Sequence, residues 1–259
     1  MKTGGVRPRE SPAYIATGDG PPVVLLHGLT CNASYWLRVV PLLHGLRVIA
    51  LDFGGHGLSA HRDSYRYADY EWDLLSVLDA FGLERVTVAG HSLGGYVGLL
   101  AATQSDRFRA VVAVDVKSDW TQTDAELAKR SRHASQRIES NRDILVERLA
   151  RSLRPVVFDD DELERVAARS LEAVGDAWRF RWDRRVLATE PVDPFAFLPQ
   201  VRCPVYVIAG RGSVVMPPAS AKRFAEAIPD ARLELIDGVG HHVELEAPER
   251  VAATIRALV

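Results

Sequence analysis

The chain has 259 residues, of which 47% are hydrophobic and 25% are charged, as in an ordinary soluble protein with one large domain. Its net charge of -2 leaves no excess of Lys and Arg to neutralise phosphates, so we expect no nucleic-acid partner. No apolar run approaches the roughly 20 residues of a membrane span, so we expect no membrane partner. Two distant cysteines in no metal-like spacing, Cys31 and Cys203, favour a reducing, cytoplasmic location.

Short apolar runs alternate with longer segments of helical spacing after a polar arm, residues 1–12, which we expect to be flexible. Six runs indicate buried strands: Val23–Leu26, Arg47–Leu51, Val86–Ala89, Ala110–Val114, Val205–Ala209 and Arg232–Ile236. Four segments indicate helices: Tyr65–Phe81, Leu93–Gln104, Ala219–Ala227 and Pro248–Leu258. This alternation predicts an α/β fold with a mostly parallel central sheet flanked by helices, and an active site at the carboxyl ends of the strands.

The alternation breaks between residues 117 and 191, where helical patterns occur without a clear strand. They cover Asp124–Ile138, Arg142–Leu153 and Asp161–Val174. We interpret this stretch as a helical cap inserted into a core of residues 13–116 and 192–259.

Two motifs in the cap have more than one interpretation. The aromatic run Trp178–Trp182 either packs the cap onto the core or lines a pocket mouth, and packing is favoured. The acidic run Asp159–Glu162 suits a helix N-terminus better than a metal site, because acids there favour the helix dipole and cap free N–H groups.

A Gly-x-Ser-x-Gly motif runs from Gly90 to Gly94, directly after a predicted strand and into a predicted helix. Gly90 and Gly94 carry no side chains where the strand and the helix crowd the turn. Ser92 can therefore occupy a strained, exposed position. The motif is weak alone, but the strand before it and the helix after it are the context that it needs.

Other predicted strand ends carry His27-Gly28-Leu29, the loop Asp52–Ser59, and Gly240-His241-His242 leading to Glu246 and Pro248. With the serine motif, these resemble the α/β-hydrolase family, in particular its single-domain serine hydrolases with a helical cap. The resemblance extends over residues 23–258. It implies an α/β-hydrolase fold with the cap inserted after the sixth strand.

The resemblance also implies roles for single residues. Ser92 is the expected nucleophile, His241 is the general base and then the general acid, and the N–H groups of Leu29 and Leu93 form the oxyanion hole. His242 is a competing base, although the family pattern favours His241. Further residues are expected to shape the site: His27, Gly28, His56, Gly90, His91 and Gly94. For Cys31, a buried core position is favoured over a second nucleophile.

The usual acid of the catalytic triad is missing. Ser213 stands where the family has an aspartate, and no Asp or Glu occurs from residue 210 to residue 222. Our first choice for the acid is Asp115, at the end of the strand that follows the nucleophile helix, as in some relatives. Asp119 is the reserve, and a Ser92–His241 dyad without an acid is the third possibility.

These residues predict a cofactor-free, metal-free hydrolase of carboxylic esters or related acyl compounds that works through an acyl-Ser92 intermediate. Thioester, amide, lactone and carbon–carbon bonds remain open. The expected partner is a small molecule, and Tyr35, Trp36 and Tyr96 suggest an apolar or aromatic one. The chain is expected to be a monomer or a homodimer.

Two alternatives from other functional classes remain. One is a cofactor-independent oxygenase or lyase on the same fold, in which His241 acts as a base on the substrate. The other is a non-catalytic receptor for a small ligand.

Overall fold

The structure is a computed structural model that describes residues 10–131, 136–190 and 192–259. The predicted arm, residues 1–12, lies outside these residues except for its last three. Within the described residues the chain forms nine strands: β1 (Tyr14–Thr17), β2 (Pro22–Leu26), β3 (Arg47–Leu51), β4 (Val86–His91), β5 (Phe108–Val114), β6 (Leu171–Val174), β7 (Ala177–Phe180), β8 (Val205–Gly210) and β9 (Ala231–Ile236).

The α-helices of the same residues, in chain order, are α1 (Tyr67–Ala80), α2 (Leu93–Gln104), α3 (Gln122–Ser131), α4 (Arg142–Ser152), α5 (Asp160–Ser170), α6 (Pro218–Glu226), α7 (Val243–Glu246) and α8 (Pro248–Arg256). Short 3₁₀ helices lie at Ala33–Trp36, Val40–Leu43, Arg184–Ala188, Pro194–Ala196 and Leu198–Gln200. Each of these helices is too short or too polar to cross a membrane.

Seven strands form one sheet in the order β1-β3-β2-β4-β5-β8-β9. All neighbours are parallel except β1, which runs antiparallel to β3. The prediction of a mostly parallel sheet flanked by helices is confirmed, and each of the six predicted strands is present. Sequence reasoning missed β1, because all four of its residues are exposed and carry no buried apolar pattern.

The central strands are apolar along their whole length because both faces of the sheet are covered. All six residues of β4 are buried. One face packs against α1, α2 and α6 through a cluster that includes Leu74, Val97 and Phe224. The other packs against α8 and the 3₁₀ turns after β2 through a cluster that includes Trp36 and Ile255. The two layers hold the carboxyl ends of the strands at one edge.

The cap differs from the prediction in three ways. It follows the fifth strand of this chain, not the sixth, because a single described strand, β1, precedes β2. The predicted helix Asp124–Ile138 ends earlier, since residues 136–138 are not helical and residues 132–135 lie outside the described residues. The predicted helix Asp161–Val174 stops at Ser170 and continues as the hairpin β6–β7.

The hairpin forms because Gly175 adopts a φ of 58°, a left-handed conformation that suits a tight turn between two strands. The spacing of Leu171 and Val174 fits an apolar stripe on a helix equally well, so the predicted helix was too long at its C-terminal end. In the aromatic run, Trp178 and Phe180 pack against an apolar cluster that joins cap residues such as Leu149 to Tyr35 and Leu245 of the core, as the packing interpretation predicted.

The acidic run serves as a helix cap. The Asp159 carboxylate accepts a hydrogen bond from the Glu162 N–H, and the Glu162 side chain accepts one from the Asp159 N–H. This reciprocal capping box begins α5.

Candidate active site

Ser92 lies on the turn between β4 and α2 in a strained backbone conformation, with a φ of 48° and a ψ of -113°. Its N–H donates to the Val114 carbonyl of β5 at 2.8 Å. A Cβ on Gly90 would lie 2.2 Å from the carbonyl carbon of Gly94, and one on Gly94 would lie 2.3 Å from the Leu26 carbonyl oxygen. Only glycine fits these positions, so strand and helix can approach closely enough to present Ser92 at the tip.

Asp115 follows β5 and is also held in the left-handed region, with a φ of 46°. Its side chain is completely buried. One carboxylate oxygen, Oδ1, lies 2.7 Å from His241 Nδ1, and Oδ2 accepts a hydrogen bond from the Gly210 N–H at 3.1 Å. Asp115 therefore faces His241 in the geometry of a triad acid.

The reserve acid, Asp119, lies in a different environment. Its carboxylate pairs with Arg223, and its side chain is 46% exposed. Hydrogen bonding from Ser220 is the main cause of its lowered pKa, together with a hydrogen bond from Ser118 and the charge of Arg223. Asp119 thus has its own cationic partner away from the His241–Asp115 contact.

Ser213, at the sequence position of the missing aspartate, hydrogen-bonds the Asp115 carboxylate. Its hydroxyl donates to Asp115 Oδ1 at 2.6 Å and accepts hydrogen bonds from the N–H groups of Val215 and Met216, each at 3.1 Å. Sequence reasoning noticed the position but assigned Ser213 no role. The available signal was the substitution itself: a hydroxyl stood where a carboxylate was expected.

His241 and His242 have different partners, although they are adjacent. His241 bonds Asp115, whereas His242 Nδ1 lies 3.2 Å from Glu244 Oε1. Burial acts to lower the pKa of His242, but the hydrogen bond and charge of Glu244 outweigh it and the pKa is raised. Of the two, His241 has the contact expected of the base, because its Nδ1 meets Asp115 and its Nε2 is not part of that contact.

His91 connects His241 to the nucleophile turn. Its Nε2 lies 3.1 Å from the His241 carbonyl oxygen, and the two imidazole rings are 4.5 Å apart. Because His91 directly precedes Ser92, this contact holds the loop of His241 beside the turn that carries the serine.

His27 and His56 are buried and neutral. Burial lowers the pKa of His27 to about 4 and that of His56 to about 3. His27 Nε2 accepts a hydrogen bond from the Phe53 N–H at 3.0 Å, and its Nδ1 donates to the Gly28 carbonyl at 2.7 Å. These bonds connect the strand end of β2 to the loop that follows β3.

A cavity of about 140 Å³ opens beside Ser92. Its walls include both residues expected to form the oxyanion hole, Leu29 and Leu93. Aromatic and aliphatic side chains form most of the remainder, with one ion pair: Tyr67, Tyr96, Trp120, Leu127, Ala128, Leu187, Thr189 and the pair Lys117–Asp124.

Of the aromatic residues named from the sequence, only Tyr96 lines this cavity. Trp36 is buried in the core and Tyr35 in the cap cluster. Sequence reasoning missed Tyr67 and Trp120, and Trp120 was detectable because it lies in the segment that follows the β5 strand end.

Cys31 and Cys203 are free and buried. Burial, followed by the nearby charge of Glu244, raises the pKa of the Cys31 thiol well above its usual value. Since the thiolate is the reactive form, Cys31 is a core residue and not a second nucleophile.

Comparison with known proteins gives relatives along nearly the whole chain. The profile of the α/β-hydrolase fold family matches residues 21–248. A putative carbamate hydrolase, RutD, of a Caulobacter species is 28% identical over 92% of this chain and 90% of that protein. A serine hydrolase-like protein of Danio rerio is 26% identical over 91% of this chain and 80% of its own length. The solved structure of a hypothetical protein from Pseudomonas aeruginosa is similar with a TM-score of 0.78 at 30% identity, and the match covers 95% and 93% of the two chains.

Proposed function

This chain belongs to the α/β-hydrolase fold family, and we propose that it is a serine hydrolase that cleaves a carboxylic ester or a related acyl bond of a small molecule. The single observation that carries the proposal is the buried Asp115 carboxylate bonded to His241 Nδ1, beside a serine on a strained turn. The names of relatives, a putative carbamate hydrolase and a serine hydrolase-like protein, support hydrolase activity.

In the first step, the Ser92 hydroxyl attacks the substrate carbonyl carbon while His241 Nε2 takes its proton. Asp115 fixes the tautomer with the proton on Nδ1 and stabilises the imidazolium as it forms. The negative charge on the carbonyl oxygen is accepted by the N–H groups of Leu29 and Leu93. In comparable enzymes one such donor is worth about 3–4 kcal/mol.

In the second step, the tetrahedral intermediate collapses. The bond to the leaving group breaks, His241 gives its proton to that group, and the acyl group stays on Ser92 Oγ. Water then attacks the acyl carbon, His241 takes the proton of the water, and collapse returns a proton to Ser92 with release of the acid. The same residues serve both halves of the reaction.

The cavity favours a small acyl group. Its volume of about 140 Å³ is below the roughly 300–1,000 Å³ of pockets for drug-sized ligands. The small volume favours a short acyl or carbamoyl group over a long one. The mostly apolar walls favour an apolar substituent over a polar one. We therefore expect short-chain esters, and carbamates of small alcohols or amines, to be turned over faster than long-chain esters.

The test is labelling with a fluorophosphonate probe, followed by intact-mass and peptide analysis. The proposal predicts one adduct, on Ser92, and no labelling of the Ser92→Ala variant. Folded protein that stays unlabelled and does not hydrolyse p-nitrophenyl esters of any chain length would contradict it and favour a ligand receptor.

The oxygenase or lyase alternative gives a different pattern. In that mechanism Ser92→Ala retains much of the activity while His241→Ala loses nearly all of it. In acyl transfer, both variants lose nearly all activity.

A further inference from the structure

A second cluster of ionisable side chains lies next to His241 and takes no part in the hydrolysis. It consists of His91 at the end of β4 and of His242 and Glu244 at the start of α7. One nitrogen of each histidine and a carboxylate oxygen of Glu244 all lie within 4.8 Å of one another. The side chains of His91 and Glu244 are 2% and 1% exposed, and that of His242 is 13% exposed.

The hydrogen bonds of the cluster leave a lone pair of His91 uncovered. His91 Nε2 donates to the His241 carbonyl, so Nδ1 of the neutral ring carries no proton. Nδ1 lies 3.4 Å from Glu244 Oε1 and has no hydrogen-bond partner within the described ranges. Glu244 Oε2 is buried and likewise has no partner there.

Two acceptors that face each other in a buried site repel, and each also loses its hydration. His242 Nδ1 is within hydrogen-bond distance of Glu244 Oε1, but His91 Nδ1 and Glu244 Oε2 have no donor within the described residues, and a cation bound between the side chains would satisfy both. The distance of 3.4 Å is too long for a direct O–H···N hydrogen bond.

We propose that His91 Nδ1, His242 Nδ1 and the Glu244 carboxylate form a binding site for a divalent transition metal ion of the zinc class. The distances from Glu244 Oε1 to the two nitrogens are 3.4 and 3.2 Å. Ligands held about 2.1 Å from one ion in a tetrahedral arrangement are spaced by about 3.4 Å. Two imidazoles and one carboxylate suit zinc, nickel or copper rather than calcium or magnesium.

The surroundings match those of a metal ligand in two respects. A ligating histidine commonly donates its other N–H to a backbone carbonyl, as His91 donates to that of His241. Residue 28 is a glycine, and a Cβ there would lie 2.7 Å from His91 Nδ1 and cover the lone pair. Metal binding needs the lone pair of His242 Nδ1, so a cationic ring releases one proton to solvent, whereas a neutral ring changes tautomer and carries its proton on Nε2.

The site joins two parts of the fold that are distant in sequence. His91 belongs to the nucleophile strand, whereas His242 and Glu244 flank the loop of His241. A bound ion links them directly and stabilises the folded chain by an amount that rises with the logarithm of the free ion concentration above the Kd. This inference does not depend on the proposed hydrolase reaction.

The test uses the full chain after dialysis against a chelator. Titration with Co²⁺, followed by visible absorption, and with Zn²⁺, followed by calorimetry, should show one equivalent bound with a Kd in the micromolar range or tighter. Zn²⁺ should also raise the Tm. Glu244→Gln and His242→Gln should each weaken binding by at least about tenfold.

Two controls locate the ion. His44→Gln removes an imidazole from an exposed position and should leave binding unchanged. His241→Asn should also retain binding, which separates this site from the catalytic imidazole. Wild-type protein that takes up no Co²⁺ and gains no stability with Zn²⁺ overturns the proposal without any variant. Binding that is lost in His241→Asn but kept in Glu244→Gln overturns it as well.

Discussion

Asp52 follows β3 and Asp115 follows β5 at the same edge of the sheet, and both side chains are fully buried, yet they meet different partners. Asp52 accepts hydrogen bonds from the N–H groups of Ala33 and Leu58 and forms an ion pair with Arg169 of α5, with Nη2 at 2.8 Å. Asp115 meets no Arg or Lys in these contacts: its carboxylate accepts hydrogen bonds from the Ser213 hydroxyl and the Gly210 N–H and lies 2.7 Å from His241 Nδ1.

This difference agrees with a structural role for Asp52 and with the catalytic role that we propose for Asp115. Asp52 has a permanent cation, so its charge is compensated at all times and ties the cap to the core. In the proposed reaction, Asp115 faces the imidazole that takes the proton of Ser92. Its charge would then be best compensated in the transition state, which is the condition for lowering the barrier.

The largest expected effect is on the reaction. Asp115→Asn removes the carboxylate that fixes the His241 tautomer, and kcat for an ester substrate should fall by about 10²- to 10⁴-fold. Circular dichroism and urea unfolding check that the fold is intact. An unchanged kcat in a folded variant would favour a Ser92–His241 dyad.

Asp52→Asn should have the opposite profile. It leaves the half-buried Arg169 without its fully buried anion, and the free energy of unfolding should fall by about 3 kcal/mol. Urea denaturation measures this loss, and Asp79→Asn, at an exposed pair with Arg107, is the matched control, with an expected loss under about 1 kcal/mol. Equal losses for the two variants would contradict a structural role for Asp52.

Acid should lower the free energy of unfolding, because two buried histidines near Asp52 are neutral in the folded chain. They are His27 and His56, whose ring centroids lie 5.0 Å apart. The pKa of His27 is about 4 in the folded chain and about 6.5 in the unfolded chain. Its contribution to the free energy of unfolding is therefore fully present above pH 6.5 and is lost as the pH falls towards 4, and the loss amounts to about 3 kcal/mol. Urea unfolding at a series of pH values tests this. His27→Gln should flatten the dependence, whereas His44→Gln should not.

A smaller effect is expected when the carboxylate of the triad is moved from position 115 to position 213. Ser213 and His241 bond the same oxygen of Asp115. The double variant Asp115→Asn with Ser213→Asp should therefore recover kcat by about tenfold over Asp115→Asn alone, or about 1.4 kcal/mol of the barrier. Ser213→Asp alone is the control, and it should lower activity because it buries a second carboxylate beside Asp115.

The smallest expected effect concerns Cys31. Its raised pKa keeps the thiol protonated at neutral pH, so iodoacetamide should leave activity unchanged in folded protein. Thiol titration should detect both cysteines only after unfolding. Rapid labelling of Cys31 before unfolding would show that the loop after Leu29 opens.

The parts of the fold found from sequence are those with local signals. The nucleophile turn was visible because its glycines and its flanking strand lie together, and His241 because its motif is contiguous. Asp115 was one of several candidates, since the contact that selects it spans 126 positions.

Other features depend on partners that are remote in the chain. Strand β1 is exposed, and its only link to the sheet among the described strands is its pairing with β3. The hairpin β6–β7 has an apolar spacing that a helix shares. The cluster of His91 with His242 and Glu244 brings together residues about 150 positions apart, so no local sequence pattern marks it, and the expectation of no metal site rested on spacing alone.

The most direct measurement is the pre-steady-state reaction with p-nitrophenyl acetate, quenched in acid and analysed by peptide mass. The triad account predicts a burst of one p-nitrophenolate per chain with an acetyl group on Ser92. It also predicts a burst slowed at least a hundredfold in Asp115→Asn and nearly unchanged in folded Asp52→Asn. Steady turnover without acetyl-Ser92, or a burst of normal rate in Asp115→Asn, would contradict it.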